Sequence, residues 1–172
     1  PFTLERLSNH FEASAQVVYS TQSSLEDLVA EADMVVGAVL IPGAAAPKLV
    51  TREMLGSMKK GAVLVDVAID QGGCFETSRA TTHADPTYIV DDIVHYCVAN
   101  MPGGVANTST YALNNVTLQH ALAIANKGWQ KALLDDAHLA NGLNICAGNV
   151  TCEPVAHDLG YEYIPSNTLF AA

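Results

Sequence analysis

The sequence predicts an α/β fold in which a doubly wound parallel sheet is followed by a helical return segment. Two runs, 34–39 and 62–67, have the nearly continuous apolar character of strands buried in a parallel sheet. Segments with apolar residues at helical spacing lie before, between and after these runs. This alternation is typical of crossover units, in which each helix packs back on the sheet.

The first predicted elements are a helix, a short strand and a second helix. Apolar side chains recur at helical spacing in residues 4–11, and the pattern changes to that of a short strand at 15–19. Ser23 or Ser24 can cap the second helix, because a side-chain oxygen there accepts a hydrogen bond from an unpaired backbone N–H group. We expect this helix to end near Ala32.

Turn residues separate the elements that follow. Pro42 and Gly43 end the apolar run at 34–39, which is expected to be buried on both faces. Thr51 can cap a third helix, and Gly61 then breaks the chain before the second apolar run. The order is therefore helix, strand, helix, strand, helix, strand.

A further strand is predicted at one side of the sheet. Residues 86–98 read as extended chain, with an apolar stretch around Tyr88 and a second one in 93–98. Asp91 and Asp92 lie between the two stretches and predict a turn there.

A domain boundary is predicted near Gly103. Gly103 and Gly104 form a flexible joint, and a long helix follows at 108–126. The sequence thus divides into residues 1–103, which contain the sheet, and residues 104–172, which are mainly helical.

The net charge excludes some classes of partner. The chain has 18 acidic and 8 basic residues, a formal charge of −10, and no cluster of Lys and Arg that could neutralise phosphates. We therefore expect no nucleic-acid partner. Anionic lipid would be repelled, and the apolar uncharged stretch 34–47 is too short to span a bilayer of about 30 Å. No membrane association is expected.

The cysteine pattern and the amino end bear on location and metals. Four cysteines are spread along the chain without CxxC spacing or a paired His pattern, so we predict no metal site and four reduced thiols. Charged residues near the amino end leave no room for a signal peptide. The expected location is cytoplasmic, unless the true start of the protein is missing.

Ligands of open α/β sheets bind beyond the carboxyl ends of the strands. Four such ends are predicted, and the candidate site residues found there are Ser20, Val39, Leu40, Val67, Asp70, Asn100 and Met101. We expect these residues to line one crevice.

Asp70 is the most chemically suggestive candidate, because it is a lone carboxylate directly after an apolar strand. It can order a water molecule or accept a proton. The other interpretation, an aspartate that stabilises a turn before two glycines, stays open. Asp66, His83 and His95 are predicted to have structural roles.

The remaining candidates also have structural alternatives. Ser20 can hydrogen-bond a ribose or adenine, or cap a helix. Val39 and Leu40 suit the flat face of a ring, or belong to the core. Asn100 and Met101 can bracket a reacting carbon, or end a strand before a proline turn.

One expected motif is absent. A dinucleotide-binding sheet needs a glycine-rich first turn, and no GxGxxG occurs in the chain. The acidic ribose-binding residue, expected about 20 residues later, is also missing, so these residues alone leave NAD and NADP both open. We expect the chain to be truncated.

Several motifs resemble the central NAD domain of alanine dehydrogenases. They are VGAVLIPG at 36–43, APKLV at 46–50, KGAVLVDVAIDQGG at 60–73, TTH at 81–83 and the segment 95–103. The resemblance implies a partial Rossmann-type NAD-binding domain at 1–103 without its glycine-rich first unit, and the carboxy-terminal segment of the substrate domain at 104–172.

The resemblance also implies an oxidoreductase of amino-acid metabolism, in L-alanine catabolism, which reversibly oxidises L-alanine to pyruvate and ammonia with NAD. It implies that Asp70 is catalytic beside the substrate and the cofactor, while the residues in contact with NAD are Ser20, Val39, Leu40, Val67, Asn100 and Met101. The family's catalytic histidine and its cationic substrate clamp have no counterpart here. We therefore expect these residues alone to be inactive. The resemblance further implies that the intact enzyme is a homohexamer.

Two alternatives stay open. The NAD-binding subunit of a proton-translocating transhydrogenase shares the IPG and APKL motifs, but it would have a non-acidic residue in place of Asp70. The second alternative is a nucleotide-binding or assembly module with no catalysis of its own.

Overall fold

A computed structural model describes residues 2–41 and 44–169. The helices are α1 Phe2–Phe11, α2 Gln22–Glu31, α3 Arg52–Leu55, α4 Ala106–Lys127, α5 Trp129–Asp135, α6 Ala137–Ala140, α7 Glu153–Leu159 and α8 Ser166–Leu169. The strands are β1 Met34–Gly37, β2 Val63–Asp66, β3 Thr87–Val90, β4 Ile93–Tyr96, β5 Ile145–Cys146 and β6 Asn149–Val150. The predicted turn at Pro42 and Gly43 lies outside the described residues.

The main sheet has the order β1-β2-β4-β3. β1 pairs with β2 in parallel, with Gly37 opposite Asp66, and β2 pairs with β4 in parallel, with Val65 opposite Tyr96. The predicted α/β class with a parallel sheet is confirmed. Since the three parallel strands run the same way, their carboxyl ends meet at one edge of the sheet.

The predicted additional strand is β3, which forms an antiparallel hairpin with β4. Asp91 and Asp92 form the two-residue turn, and both have positive φ, 51° and 66°. Two left-handed residues match the twist of the flanking strands, and aspartate tolerates this conformation better than most side chains.

The predicted strand at 15–19 is wrong, because these residues pair with no strand in the described chain. The strand pattern consists only of Val17 and Val18, and without a neighbouring strand these residues form no β-ladder. The predicted cap of α2, Ser23 or Ser24, is also wrong, because it lies two or three residues after the observed cap. Thr21 is the cap, and Ser24 closes a capping box with it.

The core lies on one face of the sheet. Leu64 of β2 and Ile93 of β4 are buried there with Val29 of α2 and Leu55 of α3. On β1, however, Met34 and Val36 are 58% and 57% exposed. The prediction that β1 is buried on both faces is therefore wrong for the described residues, because α2 and α3 cover only one face.

The remaining residues are mainly helical. α4 extends over 22 residues, contains no buried residue, and ends at Gly128, whose φ is 78°. Gly103 lies in a 3-10 turn that leads directly into α4, and the domain boundary there stays a prediction. Among residues 2–41 and 44–169, no helix combines the length and apolar character needed to cross a membrane.

Gly37, at the end of β1, permits a close approach of two chain segments. A Cβ atom at this position would lie 2.7 Å from Cζ of Phe75 and would also collide with Sγ of Cys74. Both of these side chains are fully buried and cannot move aside. A residue without a side chain is therefore needed where β1 meets the segment that follows β2.

We expect Gly37→Ala to lower the free energy of unfolding by about 1–3 kcal/mol, the usual cost of overpacking a core. Urea denaturation measures this change. The matched control is Gly56→Ala, because Gly56 has right-handed helical φ and ψ, and its added Cβ would meet nothing closer than 3.4 Å. Equal stabilities for the two variants would contradict the prediction.

Candidate functional site

A cleft of about 270 Å³ lies at the carboxyl ends of β1 and β2. Its lining residues are Ala38, Val39, Leu40, Val67, Ala68, Asp70 and Gln71. Four of the seven predicted site residues are thus brought together: Val39, Leu40, Val67 and Asp70. They meet because β1 and β2 are neighbours in the sheet and end at the same level.

The chain after β2 forms a 3-10 turn, Val67–Gln71, that places Asp70 at the cleft. Within this turn, Ala68 and Ile69 are buried, whereas Asp70 is exposed. Gly72 ends the turn with φ of 87°, and its N–H group donates to the Ile69 carbonyl over 3.0 Å. The turn therefore presents the carboxylate of Asp70 to solvent on a well-packed base.

The chain after β1 is bonded to the chain after β2. The backbone N–H groups of Ala46 and Leu49 donate to the carbonyls of Gln71 and Cys74 over 3.0 and 2.7 Å. Lys48 Nζ donates to the carbonyls of Gly72 and Gly73 over 2.5 and 2.8 Å. These bonds fix the two walls of the cleft relative to each other.

The cleft combines apolar walls with acceptors that lack partners. The Oε1 atom of Gln71 is buried and accepts no hydrogen bond from any described residue. No hydrogen bond to the Asp70 carboxylate occurs within the described chain either. A buried acceptor is costly unless a donor reaches it. The cleft thus suits a flat ring that carries an amide or hydroxyl donor.

Gln71, Ala38 and Ala68 line the cleft but were not among the predicted site residues. The position of Gln71 directly after Asp70 is the one signal in the sequence that could have identified it. Ala38 and Ala68 give no such signal in the sequence, because they contribute to the cleft only through their small size, which leaves room for a ligand.

The other three predicted site residues do not line this cleft. Asn100 lines a separate hollow of about 690 Å³ against the first turns of α4, and Ser20 and Met101 line neither. After β4, Val98 forms a parallel bridge with Thr81. Asn100 and Met101 follow at the start of the 3-10 turn that leads into α4. The single crevice expected from the sequence is therefore not formed by these seven residues.

The two histidines that were predicted to be structural have different surroundings. His95 is fully buried in β4, with Nδ1 3.0 Å from the Ile93 carbonyl, Nε2 2.7 Å from Thr77 Oγ1, and its ring stacked on Tyr88. Burial lowers the pKa of His95. His83 is exposed, and its Nε2 lies 3.0 Å from the Asn100 carbonyl oxygen. These contacts support a structural role for His95.

No metal site is evident at these positions. Within the part of the chain that the structure describes, no group of three or more His, Cys, Asp or Glu side chains is placed to hold a metal ion.

The sequence is similar to known proteins over nearly its whole length. The family model for the C-terminal domain of alanine dehydrogenase/PNT matches residues 1–153. An alanine dehydrogenase of Halomonas elongata is 60% identical over 166 residues, which are 96% of this chain and 45% of that protein. An alanine dehydrogenase of Bacillus subtilis is 56% identical over 164 residues, 95% of this chain and 43% of that protein. The chain spans a little under half the length of these curated relatives.

Two solved structures share the fold. An L-alanine dehydrogenase superposes with a TM-score of 0.78 at 46% identity, covering 91% of this chain and 43% of that one. A transhydrogenase from Sinorhizobium meliloti superposes with a TM-score of 0.55 at 33% identity, covering 67% of this chain and 34% of that one.

Burial of His95 makes the free energy of unfolding depend on pH. Because its pKa is lowered in the folded state, the unfolded chain binds the proton first as the pH falls below about 6.5. Stability is therefore expected to decrease between pH 7.5 and 5 more steeply in the wild type than in His95→Gln. Urea titrations at several pH values measure both slopes, and parallel curves would exclude this role.

Proposed function

The chain belongs to the family of alanine dehydrogenase/PNT C-terminal domains, and from this premise we propose that its protein oxidises L-alanine to pyruvate and ammonia with NAD. The observation that carries the proposal is the exposed carboxylate of Asp70 at the rim of an apolar cleft formed by β1 and β2. The reaction consumes one water molecule and releases one ammonium ion for each alanine oxidised.

The residues of the cleft fit the nicotinamide end of NAD. Val39, Leu40 and Val67 provide apolar surface for a flat ring, and the partnerless Oε1 of Gln71 can accept a hydrogen bond from a carboxamide. Bound NAD would supply the acceptor for the hydride that leaves C2 of alanine. Ser20, Asn100 and Met101 are proposed as further cofactor contacts, supported only by the resemblance of the motifs.

Asp70 is the proposed catalytic residue. Once hydride has left C2, the carbon is an imine carbon that water must attack before ammonia can leave. The Asp70 carboxylate can accept a hydrogen bond from this water and take up its proton during the attack. Because Ala68 and Ile69 of the turn are buried, the backbone that carries Asp70 is held at the cleft before substrate arrives.

The proposal extends to the two parts of the chain. Residues 1–103 would form the NAD-binding domain and residues 104–172 the returning segment of the substrate domain. A homohexamer is supported by apolar surface on α4, where Tyr111, Val116 and Leu122 are more than half exposed. A cytoplasmic location is supported by the four free cysteines, which are typical of a reducing compartment.

Removing the Asp70 carboxylate should lower turnover by a larger factor than it weakens cofactor binding. We expect Asp70→Asn to lower kcat for alanine-dependent NADH formation by about 10²-fold or more, since the amide cannot take up a proton. Binding of NADH, measured by fluorescence in the naturally encoded protein, should change by less than about threefold. The matched control is Asp27→Asn, which alters an exposed carboxylate on α2.

Undiminished turnover in Asp70→Asn would remove this residue from the mechanism. Hydride transfer between two nucleotides, without any alanine-dependent reaction in the wild type, would instead favour the transhydrogenase alternative.

The apolar wall should contribute to cofactor binding. Leu40 is 65% exposed at the cleft. We expect Leu40→Asp to weaken NADH binding by about fivefold or more, because it replaces apolar contact surface with a solvated charge. Leu28→Asp is the control, since Leu28 of α2 is 45% exposed and lies outside the cleft. Equal NADH affinities for the two variants would contradict this assignment of the cleft.

A further inference from the structure

Asp66 is a buried carboxylate that the proposed reaction does not use. It is the last residue of β2, it is fully buried, and it does not line the cleft. A carboxylate without solvent is unfavourable unless hydrogen bonds or a cation compensate it. Among the described residues, no ion pair includes Asp66, so compensation must come from hydrogen bonds.

The donors to Asp66 all come from one short loop. The backbone N–H of Cys74 donates to Oδ2 over 2.9 Å, the Cys74 thiol lies 3.5 Å from Oδ1, and the Ser78 hydroxyl donates to Oδ2. Burial, and then the neighbouring charge of Asp66, raise the pKa of Cys74 to about 11, so the thiol retains its proton and can donate it to the carboxylate. A single buried side chain thus holds both ends of the segment 74–78.

The chain also passes close to the carboxylate at Gly73. Gly73 has φ of 76°, and a Cβ atom there would lie 2.7 Å from Oδ2 of Asp66. A left-handed conformation and this lack of space both require glycine. The backbone therefore passes directly over the carboxylate between the turn that carries Asp70 and the loop that Asp66 holds.

The loop in turn closes the 3-10 turn of Asp70. The N–H groups of Gly72 and Gly73 donate to the carbonyls of Ile69 and Ala68, each over 3.0 Å. Only Gln71 separates these glycines from Asp70. A displacement of the loop would therefore be transmitted to Asp70 through two backbone hydrogen bonds.

We propose that Asp66 is a positioning residue, which fixes the backbone that carries Asp70 at the cleft by holding the loop 73–78 against the end of β2. This inference rests on the proposed function of Asp70, because a change in the position of Asp70 affects turnover only if Asp70 is catalytic. Asp66 does not contact substrate, and its effect passes through Cys74, Gly73 and the turn. The inference predicts a loss of turnover that exceeds the loss of cofactor binding.

The test compares Asp66→Asn with the wild type in the naturally encoded protein. The amide retains the shape of the side chain, but its nitrogen cannot accept a hydrogen bond. In one orientation it replaces the oxygen that accepts from the Cys74 thiol, and in the other it replaces the oxygen that accepts from the Cys74 N–H and the Ser78 hydroxyl. We expect kcat for alanine-dependent NADH formation to decrease about tenfold or more, because small misplacements of a catalytic group are costly. KM for NAD should stay within about threefold. Backbone amides of 72–74 should exchange hydrogen at least about tenfold faster, while those of α2 should not change.

Ser78→Ala is a second variant in case Asp66→Asn does not fold, since it removes one donor and leaves the carboxylate in place. As in Asp66→Asn, kcat should decrease and hydrogen exchange at 72–74 should become faster, each by a smaller factor. Ser57→Ala is its control, because the Ser57 hydroxyl donates to the Met54 carbonyl and has no link to the loop.

The possible results separate this inference from the proposed function. Faster exchange throughout the protein, or unchanged exchange at 72–74, would show that Asp66 does not hold the loop and would overturn the inference. A proportional loss of kcat and NAD binding would also overturn it. If the wild type shows no alanine-dependent reaction, the proposed function fails, and the exchange measurement alone still decides whether Asp66 holds this loop.

Discussion

The cleft depends on the hydrogen bonds that join the chain after β1 to the chain after β2. Parallel strands bring their carboxyl ends to one edge, but they do not determine the paths of the loops that follow. Here the backbone hydrogen bonds from Ala46 to Gln71 and from Leu49 to Cys74 align the two loops. The Lys48 ammonium group adds two hydrogen bonds, to the carbonyls of Gly72 and Gly73. Gly37 allows the same segments to approach from below. The position of Asp70 is therefore a property of two loops and not of one strand.

Local chemistry made part of this structure predictable. The apolar runs became β1 and β2, and the two aspartates at 91 and 92 form the hairpin turn. Asp70 could be selected because a carboxylate after a buried strand is conspicuous, and it does lie at the cleft. These successes involve short segments whose conformation depends on residues adjacent in sequence.

Features that depend on partners far apart in sequence could not be predicted. The segment 15–19 has a strand-like pattern but no partner among the described strands. Gln71 lies beside Asp70 in the sequence, but its importance follows from burial of one oxygen atom without a donor. Asn100 was placed correctly after a strand, yet it lines a hollow with residues of α4 and not the cleft at β1 and β2. In each case long-range contacts decide the outcome.

The electrostatics of the cleft restrict which part of a substrate it can hold. Its lining contains the Asp70 carboxylate and neither lysine nor arginine. Lys48, in the chain after β1, is bonded to the carbonyls of Gly72 and Gly73 and does not line the cleft. An amino-acid carboxylate placed beside Asp70 would meet a like charge without a compensating partner, which is unfavourable. An ammonium group, or the iminium carbon that forms once hydride has left, would instead be attracted to the same carboxylate. Under the proposed function the cleft would therefore hold the amino end of alanine beside the flat ring, and the carboxylate end would be bound by cationic groups that do not belong to this lining.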